Sequence, residues 1–252
     1  LATFKYQEAA LVTGSGYAAN LAVFTALADR HTVVFSDRLN HASIIDGILL
    51  SGARLVRYKH LDMEHLSRLL DREALAEKKI IVTDTVFSMD GDVAPLARLV
   101  ELGKAHGALV VVDEAHAMGV LGRGRGLVAA LGLSDDVDVQ VGTLSKALGS
   151  LGGYVAARVE TIELLRNRGR SFIFSTALPP AVLAAGLAAL RHLKANHGLG
   201  ARLMRMSKEI RDHLIRLGFD TMGSTTQIIP VFCGRNRVAL HAQALLRAEG
   251  LL

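Results

Sequence analysis

The sequence contains few of the residues from which disulfide frameworks and zinc sites are built. Cys233 is the only cysteine, tryptophan is missing, and aromatic residues make up 5% of the chain. A single cysteine excludes an internal disulfide framework and a cysteine-based zinc site, and it is typical of proteins in a reducing compartment. We therefore expect a cytoplasmic location and no metal site.

Long apolar runs are also missing. The longest such stretch, around 181–190, is about half of the roughly 20 residues that a membrane-spanning helix needs. The first residues show no basic segment followed by an apolar one, so no secretory signal is predicted. The chain starts as if within a domain, on "LATFKYQEAALVTGSG", and ends on "LLRAEGLL" without a stop signal, so we expect a fragment of a longer protein.

The positive charge of the chain does not form a nucleic-acid surface. The formal net charge is +5, but the lysines and arginines are scattered, and their densest run is Arg166, Arg168 and Arg170. Nucleic-acid sites combine a basic stripe with aromatic side chains, and no such combination occurs in this sequence. Nucleic acid is therefore not an expected partner.

Short β-rich runs alternate with helical patterns along most of the chain. This alternation predicts an α/β fold in which a mostly parallel sheet carries helices on both faces. A chain of 252 residues, half of them hydrophobic, is long enough for one large domain and a smaller appendage. Strands are predicted at 9–13, 32–36, 54–58, 79–85, 108–113, 137–143 and 153–156. Helices are predicted at 16–28, 41–51, 63–72, 96–106, 159–167 and 181–194.

The texture of the sequence changes after about Asn196. The segment "ARLMRMSKEIRDHLIRLGF" is strongly amphipathic, "TTQIIPVFCG" is interpreted as a strand with an edge-type proline, and a further helix is predicted to begin near Asn236. We therefore predict a large domain over 1–195 and the start of a smaller C-terminal α/β domain over 196–252, cut short at its end.

The segment "VTGSGYAAN" places a Gly-Ser-Gly turn between a strand and a helix. Backbone N–H groups at the helix N-terminus, helped by the Ser15 hydroxyl, would form an anion site. Gly14, Gly16 and Ala19 also fit the G-x-G-x-x-G/A dinucleotide fingerprint, and Asp37 follows about where a ribose-binding acid would lie. A merely structural turn is the third interpretation, and the motif alone leaves all three open.

A second motif, "ALVVVDEAHAMG", ends an apolar strand on Asp113. Ligands of α/β proteins bind at the carboxyl ends of parallel strands, so Asp113 and His116 can face one crevice there. Asp113 could instead cap the following segment, and a lone histidine is more often a satisfied polar residue than a catalyst. A P-loop ATPase is excluded because the chain contains no G-x-x-x-x-G-K-[ST] motif.

The third motif, "GTLSKALGSLGG", places Lys146 among small residues just past another strand end. By itself Lys146 is more often an ordinary loop lysine, although a lysine amine also forms Schiff bases with carbonyl groups. A phosphate cradle, a carboxylate at a strand end and a reachable amine are together what pyridoxal phosphate requires. An NAD enzyme would need neither the carboxylate nor the amine.

At these residues the chain resembles the α-oxoamine synthase family of fold-type-I pyridoxal phosphate enzymes, along nearly its whole length. The matching segments, in the order of the family, are "GSGYAANLAV", "DRLNHASIIDG", "VFSMDGDVAPL", "VVVDEAHAMGVLGRGRG", "GTLSKALGSLGGYVA", "SFIFSTALPP" and "TTQIIPV". The resemblance implies a pyridoxal 5′-phosphate-dependent acyltransferase that works as a homodimer.

The resemblance also implies roles for particular residues. Lys146 would form the Schiff base and act as the base, Asp113 would face the pyridine nitrogen, and His116 would hydrogen-bond the 3-hydroxyl oxygen of the cofactor. His41 would stack on the ring beside the substrate and complete the catalytic set. The other cofactor contacts would come from Ser15, Gly16 and Tyr17 near the phosphate and from Ser88 and Thr143.

Within the family, "FIFSTALPP" and "TQIIPV" resemble the branch that acts in biotin biosynthesis. That branch implies a decarboxylative condensation of L-alanine with a pimeloyl thioester of coenzyme A or acyl carrier protein, which gives 8-amino-7-oxononanoate and carbon dioxide. The sister branches share most core motifs and stay open as alternatives: 2-amino-3-ketobutyrate CoA ligase, 5-aminolevulinate synthase and serine palmitoyltransferase.

Two positions depart from the family pattern. Asp84 stands where the family often has glutamate, and Met118 stands where it often has threonine. The N-terminal segment and the distal part of the C-terminal domain, which help to shape the family's substrate pocket, are not in this sequence. A non-catalytic ligand-binding domain, a cofactor-free dimerisation core and an NAD-binding Rossmann protein are the remote alternatives.

Overall fold

The computed structural model describes residues 1–251, and a seven-stranded sheet forms its centre. The strands are β1 (Ala9–Thr13), β2 (Thr32–Asp37), β3 (Arg54–Tyr58), β4 (Lys78–Asp84), β5 (Leu109–Asp113), β6 (Val139–Thr143) and β7 (Gly153–Ala157). The helices are α1 (Gly16–Leu27), α2 (Ala42–Ser51), α3 (Met63–Arg72), α4 (Leu96–His106), α5 (Leu127–Ala130), α6 (Val159–Arg168), α7 (Arg170–Ile173), α8 (Pro180–Ala195), α9 (Leu199–Arg216) and α10 (Asn236–Ala248). Two 3-10 turns, Thr3–Lys5 and Gly122–Gly124, complete the elements.

The sheet is mostly parallel, as predicted, and its strand order is β1-β7-β6-β5-β4-β2-β3. The exception is β7, which runs antiparallel to both of its neighbours, β1 and β6. Because two reversals cancel, β1 points the same way as β6, and the carboxyl ends of six strands meet at one edge.

Helices cover both faces of the sheet, as the alternating pattern predicts. Successive residues of a strand point to opposite faces. Val34 and Val111 therefore pack with α1 and α2 on one face, while Phe35 and Val112 pack with α3 and α4 on the other. The core that results holds the strand ends rigidly on both sides.

The strand order shows that the dinucleotide alternative is wrong. A dinucleotide fold pairs the strand before its glycine turn with the strand that ends on the ribose-binding acid in one parallel βαβ unit. Here β1 lies at the sheet edge beside β7, far from β2 in the strand order. Asp37 is fully buried, and its carboxylate accepts backbone N–H groups of Leu39 and Leu61.

One predicted strand is also wrong. Residues 225–234, "TTQIIPVFCG", form bends and irregular backbone. Instead of pairing with a strand, this segment is held by side chains: Ser224 and Thr226 both donate their hydroxyl hydrogens to the carbonyl of Gly91, at 3.1 and 2.8 Å. Pro230 has no N–H to contribute to a ladder.

The helices after residue 180 lie close to their predicted positions. Helix α8 begins at Pro180, where the missing N–H of proline costs no hydrogen bond, and α10 begins at Asn236. In the described part of the chain no helix is long and apolar enough to cross a membrane. The division of the chain at residue 195 stays a prediction.

Candidate active site

One crevice at the carboxyl edge of the sheet collects every residue that the sequence analysis assigned to the site. It encloses a cavity of about 220 Å³ between the ends of β1, β4, β5 and β6. Its lining residues from the prediction are Ser15, Gly16, Tyr17, His41, Ser88, Asp113, His116, Thr143 and Lys146, and Ser43, Asp84, Ala115 and Ser145 join them. The distant motifs of the sequence therefore meet in space.

Asp113 is the buried carboxylate of the crevice, and both of its oxygens are held. Its Oδ1 accepts the N–H of Ala115 at 2.9 Å, so Asp113 does cap the segment that follows it, which was one of the alternatives for this residue. Its Oδ2 accepts a hydrogen from the Asn20 amide at 2.8 Å. Asn20 is 1% exposed and lies on α1, four residues after Gly16, on the same face of the helix. The sequence analysis missed Asn20, because an asparagine within a helix has many structural uses.

The amide of Asn20 is also connected to His41 by hydrogen bonds through Ser43. Its second hydrogen goes to the Ser43 hydroxyl at 2.9 Å, and that hydroxyl lies 2.7 Å from Nδ1 of His41. The N–H of Ser43 donates to the same Nδ1 at 3.2 Å. Nδ1 is therefore an acceptor, and the network assigns the ring proton of a neutral His41 to Nε2, the nitrogen left for a ligand.

Asp84, one of the two departures from the family pattern, supports His41 from the other side. Its Oδ2 accepts the backbone N–H of His41 at 2.8 Å. Asp84 also lies directly opposite Asp113 in the pairing of β4 and β5. Burial raises the pKa of Asp84 well above its usual value, and the charge of Asp113 adds to this rise.

His116 and Lys146 form the basic side of the crevice. Burial and, to a smaller extent, the positive charge of Lys146 together lower the pKa of His116 to about 4. The imidazole is therefore neutral at neutral pH and can exchange a hydrogen bond with a ligand. The backbone carbonyl of His116 accepts the side-chain amide of Gln227 at 2.8 Å, which ties the irregular segment 225–234 to the site.

The Gly-Ser-Gly turn lines the crevice at the N-terminus of α1. Ser15 caps α1, since its Oγ accepts the N–H of Ala18 at 3.0 Å. Among the hydrogen bonds within residues 1–251, none uses the N–H groups of Gly16 and Tyr17, so both can donate to an anion. A Cβ on Gly153 would lie 2.6 Å from the backbone nitrogen of Gly16, so the turn can rest on β7 because residue 153 is glycine. The sequence analysis did not assign a role to Gly153.

Two further residues, Thr143 and Met118, contribute to the structure around the crevice. The Thr143 hydroxyl donates to the carbonyl of Gly152 at 2.9 Å and accepts the N–H of Ser145 at 3.2 Å, so it holds the loop that carries Lys146. Met118 is 1% exposed and packs in the cluster that contains Leu144. Its thioether therefore belongs to the core and not to the lining of the crevice.

Known proteins are similar to this chain in sequence and in architecture. The family model "Aminotransferase class I and II" matches residues 1–252. The chain is 56% identical over 253 residues to an 8-amino-7-oxononanoate synthase of Geobacter sulfurreducens, covering 99% of this chain and 65% of that protein. A putative 8-amino-7-oxononanoate synthase of Bacillus cereus is 46% identical, with 98% of this chain and 63% of that protein covered.

Solved structures agree with these relatives. A serine palmitoyltransferase variant from S. paucimobilis with bound PLP–myriocin aldimine superimposes with a TM-score of 0.92 at 36% identity, covering 98% of this chain and 65% of that one. An 8-amino-7-oxononanoate synthase from Francisella tularensis superimposes with a TM-score of 0.87 at 31% identity, covering 100% and 73%. The chain spans about 65% of the length of the Geobacter relative.

Proposed function

The chain belongs to the class I and II aminotransferase family, in its α-oxoamine synthase branch, and on that premise we propose that it is the core of an 8-amino-7-oxononanoate synthase. The proposed reaction joins L-alanine to a pimeloyl thioester with pyridoxal 5′-phosphate as cofactor. A carbon–carbon bond forms between Cα of alanine and the thioester carbonyl carbon. The C–H bond at Cα, the carbon–sulfur bond and the bond from Cα to the carboxylate break, which releases the thiol and carbon dioxide, and protonation then restores a C–H bond at Cα.

The observation that carries this proposal is the convergence of Lys146, Asp113, His116 and His41 in one crevice beside a free helix N-terminus. The donor set fits pyridoxal 5′-phosphate, because it offers an anion site, a buried carboxylate and an amine at one sheet edge. The glycine at 153 leaves the space for the phosphate turn, because a Cβ there would clash with the backbone oxygen of Ser15.

When it is bound, pyridoxal 5′-phosphate supplies an electron sink for a carbanion at Cα of the amino acid. The N–H groups of Gly16 and Tyr17, with the Ser15 hydroxyl, bind the phosphate. Asp113, held in place by Asn20 and Ala115, binds a protonated ring nitrogen. Both contacts would fix the orientation of the ring.

The remaining residues act on the substrate side of the proposed site. Nζ of Lys146 takes the α-proton of alanine when the amine is unprotonated. Nε2–H of His41 lies at the crevice as a donor. Neutral His116 would hydrogen-bond the 3-hydroxyl oxygen of the cofactor. The Asn20–Ser43 contacts keep His41 in this tautomer.

A serine palmitoyltransferase type of activity is the second candidate, and the TM-score of 0.92 to the S. paucimobilis protein favours it. The higher identity to proteins named 8-amino-7-oxononanoate synthase, 56% against 36%, favours the first candidate. The amino acid used is therefore the discriminating measurement. We include in the proposal a homodimer, an acyl-CoA or acyl-carrier-protein substrate and a cytoplasmic location, which a single cysteine supports.

The test uses the whole gene product, since the chain covers part of its relatives. Protein loaded with pyridoxal 5′-phosphate should be yellow, and borohydride should fix the cofactor on Lys146, as peptide mass spectrometry would show. Lys146→Ala should not be labelled, whereas Lys194→Ala, which changes an exposed lysine of α8, should label normally. Labelling at another lysine would refute the assigned role of Lys146.

Substrate choice is measured with three amino acids and two thioesters. L-alanine with pimeloyl-CoA should give 8-amino-7-oxononanoate at a rate far above glycine or L-serine with the same thioester. Faster turnover of L-serine with palmitoyl-CoA would replace the first candidate by the second. Colourless protein that takes up no cofactor would contradict both.

A further inference from the structure

His60 lies outside the crevice, in the connection between β3 and α3, and contacts two segments that lead into it. Its Nδ1 is 2.8 Å from Oδ1 of Asp37, and its Nε2 is 2.7 Å from Oδ2 of Asp92. Asp37 ends β2, four residues before His41. Asp92 belongs to the loop after β4, four residues after Ser88. His60 thus bridges the segment that carries His41 and the loop that carries Ser88.

The two contacts together define the protonation state of the ring. An ionised carboxylate only accepts hydrogen bonds, and a neutral imidazole has one N–H to donate. Two carboxylate partners therefore require both ring nitrogens of His60 to carry hydrogen, which makes the ring an imidazolium. Both oxygens of Asp37 also accept backbone N–H groups, from Leu39 at 2.9 Å and Leu61 at 3.0 Å, so both act as hydrogen-bond acceptors.

The same contacts argue against a metal ion. His60, Asp90 and Asp92 bring three ligand atoms within 4.8 Å of one another. An imidazole binds a metal ion through a nitrogen lone pair. Both ring nitrogens of His60 carry hydrogen and donate it to a carboxylate, so neither has a free lone pair. Asp90 instead adds a third carboxylate near the imidazolium.

The loop at 86–93 contacts His60 on the β2 side of the site through a polar and an aromatic side chain. The loop closes on itself, since Val86 pairs with Val93 and the N–H of Phe87 donates to the carbonyl of Asp92 at 3.1 Å. Its contacts toward the β2 side include Asp92 with His60 and the Phe87 ring, whose centroid lies 4.5 Å from that of His60 with the planes at 90°. Both contacts converge on one side chain.

We propose that His60 is a positioning residue whose imidazolium holds the Ser88 loop against the His41 segment, so that the crevice loses this arrangement when His60 loses its proton. The inference rests on the proposed function in one respect: the two held segments are taken to be cofactor-binding. His60 itself touches neither cofactor nor substrate in this proposal.

The pH dependence has a defined sign. Burial of the ring would lower the pKa of His60, but the hydrogen bonds to Asp37 and Asp92 outweigh it and raise this pKa. A group with a raised folded pKa stabilises the fold fully below its unfolded pKa, near 6.5, and this stabilisation is lost as the pH rises through the folded pKa. The facing charges are Asp37 from β2 and Asp90 and Asp92 from the loop after β4.

The test starts with cofactor-free whole protein carrying ¹⁵N-labelled histidine. The ring NMR signals of His60 are assigned as those that disappear in His60→Gln. Near pH 7 they should show hydrogen on both ring nitrogens. The titration midpoint of His60 should lie above that of a histidine in an unstructured peptide of the same local sequence. A single N–H on His60 near pH 7 would overturn the proposal.

The positioning role is tested by hydrogen exchange over 86–93. His60→Gln should speed amide exchange there by about tenfold or more near pH 7, while His197→Gln should not change it. In the parent protein the same increase should occur as the pH rises through the His60 titration. Unchanged exchange in a folded His60→Gln variant would refute the role.

Asp92→Asn provides a second route if His60→Gln fails to fold. It keeps a side-chain oxygen beside Nε2 but removes the charge, so the titration midpoint of His60 should fall, and an unchanged midpoint would contradict the bridge. Pyridoxal 5′-phosphate binding is measured last, and its dissociation constant should rise along the same titration. Failure of the cofactor to bind at any pH would refute the proposed function, while the NMR and exchange results would still decide the role of His60.

Discussion

Replacing Lys5 by methionine should destabilise the fold more than any surface change, because it breaks a wholly buried ion pair. Nζ of Lys5 donates to Oε2 of Glu114 and to the carbonyl of Arg125, and both side chains of the pair are 0% exposed. The other carboxylate oxygen of Glu114 accepts the N–H of Val128 at 3.0 Å. Glu114 directly follows Asp113, so the pair also anchors the turn of the candidate site.

The expected loss follows from the charge that Lys5→Met leaves behind. Removing one partner of a buried pair costs about 3–5 kcal/mol, because the other charge stays buried without compensation. Domains have unfolding free energies of about 5–15 kcal/mol, so this is a large fraction of the total. At about 2–4 °C per kcal/mol for a chain of this size, the melting temperature should fall by roughly 6–20 °C.

Urea unfolding followed by far-UV circular dichroism measures this loss, and a second variant separates charge from packing. In Lys5→Met combined with Glu114→Gln, the glutamine oxygen can still accept from Val128, and no charge is left buried. The double variant should regain about 2 kcal/mol or more relative to Lys5→Met. Lys194→Met, at an exposed position of α8, should stay within about 0.5 kcal/mol of the parent.

Two results would refute this reasoning. If Lys5→Met lost less than about 1 kcal/mol, the pair would not carry the charge compensation assigned to it. If the double variant were as unstable as Lys5→Met, the loss would come from packing of the lysine stem and not from the stranded charge of Glu114.

Two further predictions concern the crevice. Gly153→Ala should weaken pyridoxal 5′-phosphate binding about tenfold or more in a fluorescence titration, because the added Cβ would clash with the turn at Gly16. Gly198→Ala is the control, since its Cβ would meet open space and binding should stay normal. Equal affinities of the two variants would refute the close approach of residue 153 to the turn. The pKa of His116 is lowered to about 4 in the folded protein, against about 6.5 in the unfolded chain. Between these two pH values the unfolded chain binds more protons than the folded protein, so the stability should fall as the pH falls from about 6.5 to 4. His116→Gln should flatten this part of the urea-midpoint profile between pH 7 and 5, and an unchanged slope would contradict the assignment.

The strands and most helices could be predicted from the sequence because their signals are local. The predicted bounds of β1 and β3 and of α3 and α4 agree with the structure, since turn residues and capping groups mark their ends. The strand order could not be predicted in the same way, because it depends on pairing between distant segments. The insertion of an antiparallel β7 between β1 and β6 leaves no mark in the sequence of β7, which is buried on both faces like a parallel strand.

The site shows the same division between local and distant signals. Lys146, Asp113 and the Gly-Ser-Gly turn carry recognisable chemistry at strand ends, so the sequence brings them into one hypothesis. Asn20 and Gly153 do not, since an asparagine within a helix and a glycine within a strand have many structural uses. Their roles arise from contacts such as that between Asn20 and Asp113, which are 93 residues apart.

The pairing of β4 with β5 brings a proton into the crevice that no motif indicates. Asp84 and Asp113 are directly opposite each other, and two neighbouring carboxylates do not both ionise readily. Asp113 has a hydrogen-bond donor on each oxygen, whereas the N–H of His41 reaches one oxygen of Asp84. Of these two carboxyls, Asp84 therefore holds a proton more readily, because burial and the charge of Asp113 raise its pKa well above the usual value. The positive charge of Lys146 lies in the same crevice, where His116 is neutral.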